Sequence, residues 1–365
     1  MNLSSVFNNK AVLVTGHTGF KGSWLSAWLS QLGANIIGLS DRVPTNPAHY
    51  DYIKECIDQD HRIDVRDTES IFSIINEVKP HFIFHLAAQP IVLASYQEPL
   101  ITFSTNTLGT AAILDALRRT NHKCTAVMVT SDKCYDNVER DYGYNEEDRL
   151  GGKDPYSGSK GAAELVIKSY VQSFFINTGS NVQVAVGRAG NVIGGGDWAP
   201  YRIIPDCVRS WAVNKKPEIR SPFATRPWQH VLEPLSGYLS LAYALSKNHG
   251  LNGEAFNFGP LVNQNHTVEE LVNEMIIHWP GSEWQNKSAD NKTPHEAGLL
   301  QLNCDKAQKI LEWRATLNFK ETALWTSEWY REYYNKGSKY ALEVTVNQIE
   351  EYMNFAKQRG SFKLG

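Results

Sequence analysis

Cysteine is scarce in this chain: five among 365 residues, at positions 56, 124, 134, 207 and 304, with no CxxC pair. An odd, scattered set of this kind excludes a fully bridged disulfide scaffold and fits a reducing compartment. No stretch reaches the ~20 apolar residues of a membrane helix. The N-terminal MNLSSVFNNK lacks the charged-then-apolar layout of a secretory leader. Basic residues are in slight deficit, 36 Lys and Arg against 39 Asp and Glu, for a net charge of -3. That leaves no electrostatic footprint for nucleic acid. No HxxxH or Cys/His cluster has zinc-ligand spacing, so no metal is expected. What remains is an ordinary globular composition, 42% apolar and 21% charged, long enough for a full core and two lobes. A soluble, cytosolic protein is the expectation.

The first half alternates strand-like and helix-like segments. AVLVTG (11–16) is an apolar run ending in Gly, and in the following SWLSAWLSQLG residues Trp24, Leu25, Trp28, Leu29 and Leu32 recur at helical spacing before Gly33. ANIIGLS (34–40), HRIDVRD (61–67), HFIFHLAA (81–88), KCTAVMVTSD (123–132) and NVQVAVGRAG (181–190) read as further strands. Helical patterns lie between them at 70–78, at about 98–120 and from 155. Repeated βαβ units predict an α/β fold with a doubly wound parallel sheet buried on both faces. After about residue 190 the rhythm breaks, and GGGDWAP, KKPEIRSPFATRPW and NKTPHEAG are loop-rich. A smaller, more irregular domain over 191–365 is expected there, with EAFNFGP (254–260) returning to the sheet as a late strand. ALWTSEWYREYY (323–334) reads as an aromatic amphipathic helix packed on the domain.

GHTGFKG (16–22) is a GxxGxxG between the first strand and the first helix. A dinucleotide's pyrophosphate needs close backbone approach, free N–H groups and the positive end of a helix, and this turn offers all three. Ser40-Asp41-Arg42 follows the second strand. A carboxylate there bonds ribose hydroxyls and favours NAD, whereas Arg42 would suit a 2′-phosphate; the balance of the two favours NAD. Asp64-Val65 ends the third strand beside an adenine edge, unless Asp64 caps the next segment.

DPYSGSK (154–160) reads as a helix start, with Asp154 as N-cap and Pro155 in the first helical position. Tyr156 and Lys160 then share one face. A Tyr of ordinary pKa ≈ 10 needs about 4 kcal/mol of stabilisation to work as a phenolate base at pH 7. Lys160 and a positive nicotinamide ring are the expected sources.

At this point the chain resembles the extended short-chain dehydrogenase/reductases, which act on nucleotide-activated sugars. Beside GHTGFKG and YSGSK, the resemblance rests on HLAAQP (85–90), NTLGT (106–110) and RPWQHV (226–231), in the family's order, and covers nearly the whole chain. It implies a Rossmann-type NAD domain over 1–190, a sugar-nucleotide domain over 191–365 and a homodimer, with pairing into tetramers left open. It implies Ser131, Tyr156 and Lys160 as the hydride-transfer set. The implied cofactor contacts are Gly16, Thr18, Gly19, Phe20, Lys21 and Gly22 in the turn, Ser40, Asp41, Arg42, Asp64 and Val65 on the adenosine side, and Leu86, Ala87, Ala88 and Asn106 beyond the fourth strand, with Tyr156 and Lys160.

TSDKCY (130–135) separates the branches of that family. Its 4-epimerases carry no acid/base pair after the serine, whereas its 4,6-dehydratases typically carry Asp-Glu; here the pair is Asp132-Lys133. Oxidation at carbon 4 of the sugar acidifies the hydrogen on carbon 5. A base then removes it while an acid protonates the leaving 6-hydroxyl. Asp132 is the expected acid. Lys133 as base must be neutral, against an ordinary pKa ≈ 10.4, which costs about 4.6 kcal/mol at pH 7. A closed pocket and a protonated Asp132 reduce that cost; electrostatic support of the enolate and a plain salt bridge are the other roles open to it. GHTGFKGSWL, TSDKCY and GRAGNVIGGGDWA (187–199) together resemble one dehydratase branch in which Ser-Asp-Lys is customary.

The family position of Asn191 implies a substrate phosphate or sugar contact. Arg226 and Arg202 are candidates for the diphosphate, each with a structural salt bridge as its alternative. Gln89 and His230 are candidates for the pocket wall or for buried polar groups, and Arg188 is open between structure and function. His17 is read as a loop residue on the pyrophosphate side, His85 as a hydrogen-bonded core group and Cys134 as packing.

Overall fold

The computed structural model describes residues 3–140, 142–176, 178–260, 264–288 and 299–362. NKTPHEAG (291–298) lies outside them. Seven strands form one sheet: β1 Ala11–Thr15, β2 Asn35–Leu39, β3 Gln59–His61, β4 Phe82–His85, β5 Cys124–Val129, β6 Val182–Ala189 and β7 Ala255–Phe258. Their order is β7-β6-β5-β4-β1-β2-β3, and every pairing is parallel.

Alternation along the strands divides the core into two faces. Val12, Val14, Ile36, Phe84, Val127 and Phe256 point to one, and Leu13, Ile37, Ile83, Ala126, Met128 and Val184 to the other. The second face is covered by α2 (Thr68–Val78), α3 (Gly109–Arg118) and α4 (Pro155–Tyr170). The first is covered by α1 (Phe20–Gln31) and by three helices of the second half, α5 (Leu232–Lys247), α6 (Phe319–Lys336) and α7 (Ala341–Arg359). Among the described residues no helix is long and apolar enough to cross a membrane.

The second half is therefore less irregular than its loops suggest. The sequence pattern passes over α5 because LEPLSGYLSLAYALSK is apolar on every side, as a helix enclosed on the sheet must be. It passes over α7 because only a few of that helix's residues are buried. Apolar packing also joins the halves directly. Trp28 meets Tyr352 edge-on at 5.6 Å, Trp24 stacks on His49 at 5.1 Å, and His49 bonds Thr345 Oγ1 at 2.9 Å.

Two element boundaries differ from the sequence reading. β3 is only three residues long and precedes the apolar Ile63 and Val65. The cap of α2 is Asp67, whose carboxylate accepts from Ser70 N at 3.2 Å, not Asp64. The long helix near 98–120 is broken by a π-turn at Ser104–Leu108. Its last segment starts at Gly109, where a Cβ would lie 2.6 Å from Val65 Cγ1.

Candidate active site

The sheet order reverses between β1 and β4, and their carboxyl ends open a crevice there. The glycine turn fills one side of it. Gly16 has φ +73, and a Cβ on it would lie 2.7 Å from Ala87 N, so only glycine fits. A Cβ on Gly22 would lie 2.1 Å from Gly16 O, which presses the start of α1 onto the turn. Gly19, the N-cap of α1, differs: its Cβ would meet only Gly16 O, at 3.3 Å. Internal packing therefore presses on position 19 far less than on Gly16 or Gly22, whereas backbone approach by a phosphate requires glycine there. The turn fits a dinucleotide. Gly19→Ala is expected to stay within about 1 kcal/mol of the parent in stability yet bind NAD at least tenfold more weakly, about 1.4 kcal/mol. Gly22→Ala is expected to lose about 1–3 kcal/mol of stability; calorimetry and denaturant titration separate the two.

The turn is tied to the end of β2 by Thr18, whose Oγ1 donates to Arg42 O at 2.7 Å and whose N–H faces Ser40 Oγ at 3.5 Å. Asp41 and Arg42 are exposed, with Arg42 Nε 3.7 Å from Asp41 Oδ2. Asp64 is held by Arg66, through Nε at 2.9 Å and Nη2 at 2.5 Å, and Val65 is buried against α3. Leu86 and Ala87 bond back to Thr15, and Ala88 is half-buried.

His17 turns inward, away from the pyrophosphate side to which the sequence reading assigned it. Its ring is fully buried, with Nδ1 3.1 Å from Ser40 Oγ and Nε2 3.0 Å from Asp60 Oδ1. Gly38 leaves room for it, since a Cβ there would lie 2.4 Å from the imidazole. His85 is also enclosed, bonded to Thr15 Oγ1 at 2.8 Å and Thr110 Oγ1 at 3.2 Å.

The catalytic candidates converge at the carboxyl end of β5. Asp154 caps α4 by accepting from Ser157 N at 3.0 Å, and Tyr156 N–H donates to Ser95 Oγ at 3.2 Å. Asn106 clips the helix to the HLAAQP loop: its amide donates to Ser159 Oγ at 2.9 Å, and its Oδ1 accepts from Gln89 N at 2.8 Å. Asn106 and Gln89 thus serve this clip, with the Gln89 side chain held by Thr102 Oγ1 at 2.9 Å and Ile91 N at 2.6 Å.

Burial pushes the Tyr156 phenol up to about 12. The neighbouring Ser131 hydroxyl works against that shift, as does Arg202, while Asp132 reinforces it. Burial also pushes the Lys160 amine down to about 8, opposed by Glu164. Ionising this phenol at pH 7 costs about 7 kcal/mol, more than the sequence alone suggests. The cation that counts most beside Tyr156 is Arg202, whose place in the chain gives no hint of this.

Asp132 is 2% exposed, and Ser131 Oγ donates to its Oδ1 at 2.8 Å. Lys133 Nζ lies 3.8 Å from the same oxygen, with more of its side chain open to solvent. Gly190 gives room to the other oxygen, since a Cβ there would lie 3.3 Å from Asp132 Oδ2. Cys134 is fully buried.

The residues proposed from the second half take different places. Arg202 ion-pairs with Asp197 at 2.7 Å, and Tyr330 holds that loop by donating to Asp197 O at 2.6 Å. Asn191 is half-buried, its carbonyl accepting from Gln229 N at 3.3 Å. Arg226 lies on a two-residue strand paired with His266–Thr267, its Nη1 donating to Thr225 O at 2.8 Å. His230 is enclosed in the core, its ring edge-on to Trp24 at 5.9 Å and to Trp325 at 5.8 Å. Arg188 is structural, gripping Glu164 with two hydrogen bonds of 2.8 Å.

The family model of GDP-mannose 4,6 dehydratase matches residues 13–324, and the chain belongs to that family. It is 42% identical over 353 residues to CDP-glucose 4,6-dehydratase of Salmonella typhimurium, an alignment covering 95% of this chain and 97% of that protein. Its fold is similar to dTDP-glucose 4,6-dehydratase from Bacillus anthracis in complex with NAD, with TM-score 0.73, 22% identity and coverage of 90% of this chain and 99% of the other. UDP-glucose 4-epimerase from Thermotoga maritima with UDP-glucose has the same TM-score, 0.73, at 20% identity, covering 88% of this chain and 99% of the other. At those identities the two structures establish the fold alone.

Proposed function

We propose that the chain is an NAD-dependent sugar-nucleotide 4,6-dehydratase, a hydro-lyase converting CDP-glucose to CDP-4-dehydro-6-deoxyglucose and water. The observation that carries this reading is the enclosed Asp132 carboxylate, oriented by Ser131 beside Tyr156 and Lys133. A 4-epimerase has no use for such an acid. The 42% identity to a CDP-glucose 4,6-dehydratase along nearly the full length of both proteins supports the choice of nucleotide.

In this reading Tyr156 takes the proton of the sugar's 4-hydroxyl, with Ser131 bonding the same oxygen. The glycine turn, Ser40, Asp41 and Asp64 would hold NAD, which would supply a reversible hydride acceptor for carbon 4. Lys160 steadies the cofactor and favours the phenolate. Asp132 protonates the leaving 6-hydroxyl, and Lys133, next to it in the chain, is the amine that the sequence assigns to carbon 5. Asn191, Arg202 and Arg226, all from 191–365, supply contacts to the sugar and diphosphate.

We also place the protein in the cytosol, because all five cysteines are unpaired. A homodimer suits the face formed by α4 and the neighbouring segment 99–108. There Leu100, Leu108 and Leu165 remain 83%, 62% and 57% exposed.

The decisive experiment incubates the protein and NAD with CDP-, dTDP-, GDP- and UDP-glucose and reads 4-keto-sugar formation. CDP-glucose is expected to turn over fastest; an epimerised hexose without a keto product rejects the reading. Asp132→Asn is expected to let reduced cofactor build up while loss of water slows by about 10²–10⁴-fold. Unchanged dehydration in that variant removes Asp132 from the acid role.

A further inference from the structure

The carboxylate assigned to acid catalysis stands on very little local structure. Asp132, Lys133 and Cys134 form a single 3₁₀ turn, a conformation with poor hydrogen bonds of its own. Within it Cys134 N–H donates to Ser131 O at 3.1 Å and Tyr135 N–H to Asp132 O at 3.4 Å. Its place is therefore set by what grips its two ends. At the near end Thr130 Oγ1 donates to Glu164 of α4 at 2.5 Å. At the far end Tyr135 is 1% exposed, and its hydroxyl accepts from Arg188 Nη1 and donates to Asn257 Oδ1, each at 2.8 Å.

Asn257 lies on β7, fully buried, with every polar atom of its side chain engaged. Its amide donates to Tyr144 O at 2.8 Å and Asn303 O at 3.0 Å, while its backbone N–H donates to Glu146 Oε1 at 2.8 Å. Tyr144 stacks on Tyr135 at 5.2 Å and pairs with residues 301–303: its N–H donates to Gln301 O and its carbonyl accepts from Asn303 N, both at 2.8 Å. Gly143 permits that approach, since a Cβ there would lie 2.6 Å from Asn303 N. A buried polar network whose members are all satisfied is rigid. This one runs from the second half of the chain to the turn that carries Asp132.

We propose that Tyr135 and Asn257 are positioning residues for Asp132: they fix the far end of its turn against β7 and the segment 301–303, and so hold the carboxylate where it protonates the leaving 6-hydroxyl. This rests on the dehydratase reading and on Asp132 as its acid. Both side chains are enclosed and act only through the turn. Tyr156 is held independently, by the Asp154 cap of α4 and by Ser95, and Ser131 sits at the near end beside the Thr130 bond. Oxidation at carbon 4 therefore does not depend on the network, whereas loss of the 6-hydroxyl does. Losing the Tyr135 hydroxyl frees the far end of the turn, and a misplacement of about 1 Å costs on the order of 10²-fold in rate.

The test follows reduced-nicotinamide absorbance and 4-keto-sugar formation with full-length protein, NAD and CDP-glucose. Tyr135→Phe is expected to reduce the cofactor within about threefold of the parent's rate while dehydration slows by about 10–10²-fold, so that reduced cofactor builds up. Asn257→Ser is expected to show the same split. Added to Asp132→Asn, Tyr135→Phe is expected to slow dehydration by less than about threefold further, because the acid through which it acts is already gone. A merely structural role lowers both rates in proportion to the protein that folds and leaves their ratio unmoved; that result overturns the proposal. Dehydration at the parent's rate in Tyr135→Phe overturns it too, as does full additivity with Asp132→Asn. A Tyr135→Phe chain that circular dichroism shows unfolded assigns the network to stability alone and rejects the proposal. A parent that forms no keto sugar overturns the dehydratase reading and the proposal with it, whereas a parent that dehydrates CDP-glucose beside variants without the split rejects the proposal only.

Discussion

With Tyr156→Phe, CDP-glucose is expected to leave bound NAD oxidised, and keto-sugar formation is expected to fall by at least about 10²–10⁴-fold. The phenol sits at the end of a helix fixed by Asp154, Ser95 and Asn106, where desolvation pushes it up to about 12. Its ionised form is therefore scarce even with Arg202 nearby, and a positively charged nicotinamide ring beside it would lower the cost of ionisation further. Phenylalanine keeps the packing and removes only the proton acceptor, so the unfolding midpoint is expected to stay within about 1 kcal/mol of the parent. Near-ultraviolet absorbance of reduced cofactor after mixing with substrate is the measurement. Reduction at the parent's rate would assign proton removal to another group, and Ser131, oriented by Asp132, would be the next to examine.

The largest stability effect is expected from Arg188→Met. Arg188 and Glu164 are 5% and 4% exposed, and their two hydrogen bonds tie the end of β6 to the middle of α4. Thr130 Oγ1 adds a bond to Glu164 at 2.5 Å, and Tyr135 meets Arg188 at 2.8 Å. Removing the guanidinium leaves a carboxylate in a low-dielectric interior, at a cost of about 3–5 kcal/mol. Glu164→Gln placed on top of Arg188→Met is expected to restore part of that loss, since a neutral amide needs no counter-charge. Denaturant unfolding of parent, single and double variants checks both statements; a single variant as stable as the parent shows that water or another cation reaches Glu164. The single variant is also expected to bring the uncompensated Glu164 charge to bear on Lys160. That raises the amine of Lys160, so the effect extends from stability to catalysis.

Much of the site could be read from local patterns. The GxxGxxG turn, the Asp-Pro start of α4, the four-residue step from Tyr156 to Lys160 and the Ser-Asp-Lys after β5 each lie within a few consecutive residues. There backbone chemistry and helix periodicity act without help from distant segments. The errors fall where a residue's partner is far along the chain. His17 reads as a loop residue until Gly38 and Asp60 close around it. His230 stays open between pocket wall and buried polar group until two tryptophans, about two hundred positions before it and about a hundred after it, enclose it. Arg202 acquires its neighbour Tyr156 only when the GGGDWAP loop brings the second half over the sheet edge.

By itself the sequence determined the parallel α/β architecture, the glycine turn after the first strand and the place of the candidate side chains after β5. These follow from short-range rules, namely strand and helix periodicity, capping and the steric freedom of glycine. Only the tertiary structure decided which charges meet. How far the Lys160 amine is pushed down, and whether Arg188 serves catalysis or the core, depends on desolvation and on the distance to carboxylates elsewhere in the chain. Those quantities come into being when the strands are ordered and the second half closes over them.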